Sequence, residues 1–377
     1  ILWLRDSDPD IVDGAKWLSV SDYIVFRLTG HIVTDPSLAA RTYAYRIVEE
    51  RWDQSLLDRL GLDEALFPTV LPAGEPAGSI EPAAAADTGL PRTATAAVAG
   101  HDHICALFAA GIMEPGQVLD SIGTAESLLG VIALSELGEN ELRSGLVIVP
   151  HLLPGRFCWL GGLRSAGGSV EWIRGQLAVE ALSYEDAIDL AEQAGDEPTG
   201  ILYFPYLTGR GGVCPDEHIR AAFVGLDASH GRPHLIKAVL EGTSYESESI
   251  RRAAERLSER PVDELIAVGG GTMNRPWMQV KADVTGCRVS LPPIAEASTL
   301  GAALAAGLRR GVIGGEEDIT RMAASVMRAG EVIEPDAGRH AAYRRLYEGG
   351  YEAFGSALRR LSHDMIGTSR SYAWGGR

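Results

Sequence analysis

The hydrophobic pattern of this chain changes near residue 112, and that change constrains the fold more than any other feature. Before it the pattern is mainly helical, as in DIVDGAKWLSVSDYIVFRLTG. After it come four strand-like stretches, VLDSIGT, SLLGVIAL, GLVIVPHLL and FCWLGGL, and then helices that alternate with the strands ELIAVGGG and CRVSLPP. Antiparallel strands followed by alternating helices and strands predict an α/β fold with a mixed sheet flanked by helices.

The length of the chain favours two domains. It has 377 residues, 46% of them hydrophobic, whereas a single core stops growing at about 250–300 residues. We therefore expect two lobes with a cleft between them.

The acidic composition narrows the range of partners. The formal net charge is −17, and the lysines and arginines are scattered along the sequence, which argues against nucleic acid or an anionic membrane as a partner. The four cysteines lie far apart without a CxxC pair, so neither a disulfide framework nor a structural zinc site is indicated. No run of 18 apolar residues and no signal peptide pattern is present. These features predict a cytoplasmic protein.

Familiar nucleotide and hydrolase motifs are absent from the sequence. It contains no G-x-x-x-x-G-K-[ST], no H-E-x-x-H and no G-x-S-x-G. The stretch LGGLRSAGGSVEW has a strand, glycines and a helix in the order of a dinucleotide site but without the G-x-G-x-x-G spacing. Packing of the helix on the sheet through Gly167 and Gly168 is the better interpretation.

Two glycine-containing breaks could bind a phosphorylated ligand. In DSIGTAES a strand breaks at Gly123 and Thr124, and such a break can present amides and a hydroxyl to phosphate, although a simple hairpin turn is favoured when the motif is considered alone. In AVGGGTMNRPWMQ the glycines Gly270 and Gly271 lie between a strand and a helix, where backbone can approach a flat group closely. Asn274 either offers a donor and an acceptor to an adenine edge or caps the following helix.

The stretch GHDHICALFAAG places Asp102 between two histidines, just before a short helical pattern. Asp102 could cap that helix, ligate a metal or act as a catalytic base. A metal site formed with His101 and His103 is disfavoured because neighbouring strand residues point to opposite faces. The cap and the base are compatible, since a carboxylate at a helix N-terminus stays ionised and can accept a proton.

These segments, taken in this order, resemble the FGGY carbohydrate kinases, the group that contains xylulokinase, gluconokinase and glycerol kinase. The resemblance covers nearly the whole chain. The stretches that carry it are KWLSVSDYIVFRLTGHIVTD, RWDQSLLDRLGL, VAGHDHICALFAAGIMEPGQVLDSIGTAES, YFPYLTGRGGVCPDEHIRAAFVGLDASHGRPHLIKAVLEG and VGGGTMNRPWMQVKADVTGCRVSLPPIAEASTLGAALAAG.

The resemblance implies an actin-like, ribonuclease H-like fold in which residues 1–111 are part of a sugar-binding domain and residues 112–377 form a nucleotide-binding domain. ATP and Mg²⁺ are the implied cofactors, a sugar or polyol is the implied substrate, and a homodimer is the family-level expectation. The positions that match the family's functional residues are Asp102 as general base, Gly123 and Thr124 at phosphate, and Gly270, Gly271 and Asn274 at adenosine. With the sugar expected at Asp102, we expect Asp102 and the flanking His101 and His103 to bind it. Metal ligands are not apparent in the sequence.

Departures from the family pattern leave the substrate open. The family begins with a D-x-G-T phosphate loop and a set of sugar contacts that this sequence lacks, so we expect an incomplete first domain and weak or no phosphorylation by the chain alone. His103 stands where the family usually has an amide, and GRGGVCP replaces a more usual loop with Gly-Glu-Arg. A pentulose such as xylulose is the favoured substrate; gluconokinase-type or glycerol kinase-type activity, or a non-catalytic nucleotide-binding role, are the alternatives.

Overall fold

A computed structural model describes residues 1–134, 137–178 and 180–368 of the protein. The end of the predicted second domain, residues 369–377, lies outside this part. The helices are α1 Leu2–Ser7, α2 Val20–Thr29, α3 Pro36–Ala40, α4 Gln54–Leu60, α5 Pro82–Thr88, α6 Asp102–Ala109, α7 Glu139–Ser144, α8 Gly167–Gln176, α9 Tyr184–Gln193, α10 Arg232–Ser258, α11 Arg275–Thr285, α12 Ala297–Arg309, α13 Glu316–Met327, α14 Ala337–Leu346 and α15 Glu352–Thr368.

The strands are mostly short before residue 112 and longer after it. They are β1 Val33–Thr34, β2 Tyr45–Arg46, β3 Arg51–Trp52, β4 Thr69–Val70, β5 Pro76–Ser79, β6 Thr95–Ala97, β7 Gln117–Ile122, β8 Glu126–Ile132, β9 Val147–Pro150, β10 Phe157–Leu163, β11 Leu202–Phe204, β12 Ala222–Val224, β13 Glu264–Val268, β14 Arg288–Leu291 and β15 Glu331–Ile333.

A seven-stranded mixed sheet, with strand order β15-β14-β13-β7-β8-β10-β9, confirms the α/β fold predicted from the hydrophobic pattern. Strands β14, β13 and β7 are parallel, and the remaining pairs are antiparallel. Side chains alternate between the two faces of each strand. Leu119 and Leu129 share a core with α6 and α12, whereas Val118 and Leu128 share one with α10 and α11. The sheet is therefore covered by helices on both faces.

The part before residue 112 contains three two-stranded sheets, β1 with β4, β2 with β3, and β5 with β6. The boundary predicted at residues 111 and 112 falls in the connection between α6 and β7 and stays a prediction. In the described part of the chain, every helix is too short or too polar to cross a membrane.

The helical pattern over residues 10–30 forms a shorter helix than its apolar spacing suggests. Helix α2 begins only after Ser19, whose hydroxyl accepts from the Asp22 amide while the Asp22 carboxylate accepts from the Ser19 amide. This reciprocal capping fixes the start of the helix. Upstream, Gly14 has a positive φ of 65°, which interrupts a helical path. Gly30 closes α2 with φ 74°.

Small residues in α12 allow it to pack closely against α6. A Cβ atom added to Gly301 would overlap the carbonyl oxygen of Cys105, so the two helix backbones touch at this point. The alanine-rich sequence of α12 therefore has a packing reason. It holds α6, the helix that begins at Asp102, against the sheet.

Replacing Gly301 by Ala should destabilise the protein. The added methyl group meets backbone that cannot rotate away, and overpacking of this kind typically costs about 1–3 kcal/mol. Urea denaturation measures the change. Gly355→Ala is the matched control, because a Cβ on this glycine of α15 meets no heavy atom within 4 Å. Equal free energies of unfolding for both variants would contradict the packing argument.

Candidate active site

The Gly123–Thr124 break forms the turn between β7 and β8. Residues 123–125 are exposed, although Ile122 and Glu126 on either side are buried. The start of α8 holds the turn from behind, since the amides of Gly167 and Gly168 donate to the carbonyls of Gly123 at 3.1 Å and Thr124 at 2.9 Å. The turn is thus fixed through its carbonyl groups, and Gly123 and Thr124 line a cavity.

The second glycine segment follows β13 and lies directly beside this turn. Strands β13 and β7 are parallel neighbours, so their carboxyl ends lie together. Gly269 has φ 95°, and a Cβ there would come within 2.6 Å of the Ile122 carbonyl oxygen. Gly270 and Gly271 continue into a single 3₁₀ turn, residues 270–273. The triplet therefore gives close packing at Gly269 and Gly271 and an open backbone at Gly270.

Asn274 caps helix α11. Its Oδ1 accepts from the Trp277 amide at 3.0 Å, so the capping interpretation from the sequence is correct. Because the acceptor oxygen is engaged in the cap, a ligand meets mainly the Nδ2 donor. The sequence predicted that Asn274 could offer adenine both a donor and an acceptor, and the structure leaves mainly the donor for this contact.

All five residues predicted for the nucleotide line one cavity of about 630 Å³, a volume typical of small-molecule sites. They come from two segments about 150 positions apart in the sequence, and the fold brings them together. The residues that line the cavity are Gly123, Thr124, Gly167, Gly168, Val170, Glu171, Tyr184, Ile188, Gly270, Gly271, Met273, Asn274 and Trp277.

The far wall of this cavity was not predicted from the sequence. Helices α8 and α9 contribute Glu171, Tyr184 and Ile188. The Tyr184 hydroxyl donates to Glu171 Oε2 at 2.8 Å, and the Arg174 guanidinium lies 3.7 Å from the centre of the Tyr184 ring. The sequences of α8 and α9 show only helical patterns, and these do not indicate that the two helices line a cavity. The packing interpretation of Gly167 is supported, because a Cβ there would overlap the Gly123 carbonyl, and the same glycine also lines the cavity.

Asp102 is the first residue of α6, and His101 occupies the capping position without a side-chain cap. The capping interpretation of Asp102 is therefore wrong by one residue. The carboxylate is 70% exposed; its Oδ1 accepts from the His103 amide at 2.7 Å and lies 3.1 Å from His101 Nδ1. An exposed carboxylate at a helix N-terminus is chemically able to accept a proton from a bound hydroxyl.

The two histidines beside Asp102 form a half-buried pair with ring centres 5.5 Å apart. Burial lowers the pKa of both imidazoles more than the Asp102 carboxylate raises it, and the Arg41 guanidinium lowers each further. Both rings are therefore neutral at pH 7, and a neutral imidazole can donate one hydrogen bond and accept another. Arg41 was not singled out in the sequence.

The segment before Asp102 is tied to α3. The His101 amide donates to Ser37 Oγ at 2.8 Å, and that hydroxyl bonds to the buried carboxylate of Asp35. Burial raises the pKa of Asp35 to about 6. This chain of contacts positions the residues that lead into α6.

Asp102, His101 and His103 are not among the residues that line the 630 Å³ cavity. Helix α6, which begins at Asp102, packs against β7 and β8, the two strands that frame the Gly123–Thr124 turn. Within residues 1–134, 137–178 and 180–368, no group of three or more His, Cys, Asp or Glu side chains is arranged to hold a metal ion.

Comparison with known proteins gives the family. Residues 1–109 match the N-terminal domain of the FGGY family of carbohydrate kinases, and residues 130–309 match its C-terminal domain. The chain belongs to the FGGY family. Its predicted resemblance is thereby confirmed.

Two FGGY relatives differ in the substrate that their names give. A xylulose kinase from Bacillus subtilis (strain 168) is 28% identical over 351 residues, which covers 92% of this chain and 68% of the relative. A glycerol kinase from Clostridium beijerinckii (strain ATCC 51743 / NCIMB 8052) is 32% identical over 337 residues, which covers 85% of this chain and 64% of the relative. The chain thus spans about two thirds of the length of these FGGY kinases.

A solved FGGY structure has the same fold. The crystal structure of a xyloylose kinase from Brucella ovis superimposes with a TM-score of 0.81 at 26% identity, covering 96% of this chain and 72% of the other. The actin-like, ribonuclease H-like fold class predicted from the FGGY resemblance is confirmed.

Proposed function

We propose that this protein transfers the γ-phosphoryl group of ATP to a hydroxyl of a sugar or polyol, with a pentulose such as xylulose as the favoured substrate. The observation that carries the proposal is that Gly123, Thr124, Gly270, Gly271 and Asn274, separate in sequence, line one cavity of about 630 Å³. In the proposal, Gly123 and Thr124 contact phosphate, and the Gly270–Asn274 segment contacts adenosine.

Asp102 is the proposed general base. The sugar hydroxyl gives its proton to the Asp102 carboxylate as its oxygen forms a bond to the γ-phosphorus, and the bond from that phosphorus to the β,γ-bridging oxygen breaks to release ADP. Such a transfer depends on positioning and charge stabilisation more than on covalent help from the protein. The neutral His101 and His103 are proposed to orient the sugar by hydrogen bonds to its hydroxyls.

The residues present fit a magnesium ion that arrives with the nucleotide. Mg²⁺ keeps several waters and is usually bound through one or two carboxylates together with substrate phosphates. The exposed Asp102 carboxylate is the side chain proposed to face a water of the ion. When bound, the ion would neutralise charge on the phosphates.

Glycerol is the second candidate substrate, because the glycerol kinase relative has the higher identity, 32% against 28%. Purified full-length gene product should be assayed for ATP-dependent ADP release with D-xylulose, glycerol and gluconate. We expect the highest kcat/KM with D-xylulose. A clear preference for glycerol or gluconate would reassign the substrate, and ADP binding without turnover on any of the three would indicate a non-catalytic nucleotide-binding protein.

Asn274→Ser separates a nucleotide contact from a helix cap. Serine caps a helix about as well as asparagine but lacks the Nδ2 donor, so stability should hold. Loss of one neutral hydrogen bond, about 0.5–1.5 kcal/mol, should raise the KM for ATP roughly three- to tenfold and leave the KM for the sugar unchanged. Steady-state kinetics with each substrate varied in turn makes the test, with thermal melting as the control for folding. A higher KM for the sugar alone would place the nucleotide elsewhere.

A further inference from the structure

A cluster of three charged side chains is completely buried directly behind the Gly123–Thr124 turn, which is called the phosphate turn below because of its proposed ligand. The Lys281 ammonium lies 2.7 Å from Asp120 Oδ2 and 2.7 Å from Glu126 Oε1, and all three side chains are 0% exposed. The third contact of the Lys281 ammonium is with Ser247 Oγ of α10, at 3.2 Å. The ammonium group thus donates hydrogen bonds to Glu126 and Ser247 and forms an ion pair with Asp120 in the interior of the protein.

Stability alone is a poor explanation for this cluster. Two carboxylates face one ammonium, and burial, reinforced by the neighbouring Glu126, raises the pKa of Asp120. Neither carboxylate oxygen of Asp120 accepts a hydrogen bond, and Glu126 Oε2 accepts none either. Apolar residues of similar volume often stabilise a core as well as or better than buried ion pairs do. In some proteins buried charges fix the register of packed elements, because any slip separates charges that cannot reach water.

The cluster connects the two sides of the nucleotide cavity. Asp120 lies in β7 shortly before the Gly123–Thr124 turn, and Glu126 is the first residue of β8, which follows the turn. Lys281 lies in α11, seven positions after Asn274. Seven residues make about two helical turns, which puts Lys281 on the same side of the helix as Asn274. One ammonium group therefore joins both strands of the phosphate hairpin to the helix that starts at the adenosine side.

We infer that Lys281, held by Asp120 and Glu126, is a positioning residue of the nucleotide site that fixes the distance between the phosphate turn and the start of α11. This inference rests on the proposed nucleotide site. The distance matters only for a ligand that touches both sides at once. ADP spans the cavity from Asn274 to Gly123, whereas adenosine reaches the α11 side alone, so the cluster should govern the affinity for ADP and have little effect on adenosine.

The test uses the full-length protein and isothermal titration calorimetry with ADP and with adenosine. Lys281→Met alone leaves two buried carboxylates facing each other and is expected to unfold easily. The triple variant D120N/E126Q/K281M removes all three charges at nearly constant volume and should keep the fold. We expect its ADP affinity to fall about tenfold or more and its adenosine affinity to change less than about twofold. Asp120→Asn weakens the ion pair between Asp120 and Lys281 and keeps the Lys281–Glu126 pair. It should lower ADP affinity about threefold.

The matched control is Glu241→Gln. Glu241 is another buried carboxylate, but it bonds to Thr199 and Tyr343 and is not among the residues that line the nucleotide cavity. Its ADP affinity should be unchanged. Unaltered ADP affinity in both cluster variants, or an equal loss for ADP and adenosine, would overturn the positioning role while leaving the proposed function in place. Absence of ADP binding by the unaltered protein would overturn the proposed function itself, and the positioning role with it.

Discussion

Replacing Asp102 by Asn should lower kcat by about 10²- to 10⁴-fold while nucleotide binding persists. A positioned base contributes about this much to a proton transfer, and an amide cannot take the proton. The fold should survive, because the side chain is 70% exposed and an Asn Oδ1 can still accept from the His103 amide. The measurement is steady-state phosphorylation of D-xylulose by full-length protein, with ADP affinity determined in parallel.

Asp336→Asn is the matched control for this variant. Asp336 is likewise an exposed carboxylate at a helix start, where it caps α14 by accepting from the Gly338 and Arg339 amides. Its substitution changes the same charge at a residue that caps a different helix and does not line the nucleotide cavity, so kcat should be unchanged. A near-normal kcat for Asp102→Asn would remove this residue from the mechanism. Loss of nucleotide binding in the same variant would show a structural role instead.

Replacing Gly167 by Ala should weaken nucleotide binding about tenfold or more. The added Cβ would overlap the Gly123 carbonyl oxygen and lie 3.2 Å from the Gly123 carbonyl carbon, so the phosphate turn must move away from α8. Both amide contacts from α8 to the turn would then lengthen, and we expect the ADP affinity to fall about tenfold or more. The accompanying loss of stability should be about 1–3 kcal/mol, the usual cost of overpacking.

Gly175→Ala tests whether the effect is specific to the turn. Gly175 lies in the same helix, α8, but a Cβ there meets no heavy atom within 4 Å. An alanine at this position should leave ADP affinity unchanged and stabilise the helix by about 0.5–1 kcal/mol. If both variants bind ADP as the unaltered protein does, the turn does not depend on the close approach of α8.

The sequence predicted the parts of the fold and site that depend on local pattern. The strands β7, β8, β9, β10, β13 and β14 and the two glycine segments are periodic or carry turn-forming residues, and such signals lie within short windows. The sequence predicted Asp102 as the cap of α6, and the structure has the cap one residue earlier, at His101. The error arises because a cap depends on backbone angles at one residue, which the pattern does not determine.

The parts that could not be predicted depend on long-range packing. Lys281 and Glu126 are 155 positions apart, and nothing local in the sequence signals that a lysine and two acids meet in the interior. Tyr184 and Glu171 line the cavity together because Tyr184, at the start of α9, contacts Glu171 and Arg174 of α8. The use of the Asn274 oxygen as a cap likewise became apparent only from the start of α11.

A crystal structure of the full-length protein with a non-hydrolysable ATP analogue and D-xylulose tests the central claim most directly. The account predicts the adenosine beside Gly270, Gly271 and Asn274, the phosphates at Gly123 and Thr124, and one sugar hydroxyl within hydrogen-bonding distance of the Asp102 carboxylate. A nucleotide bound outside this cavity, or a sugar bound away from Asp102, would contradict it.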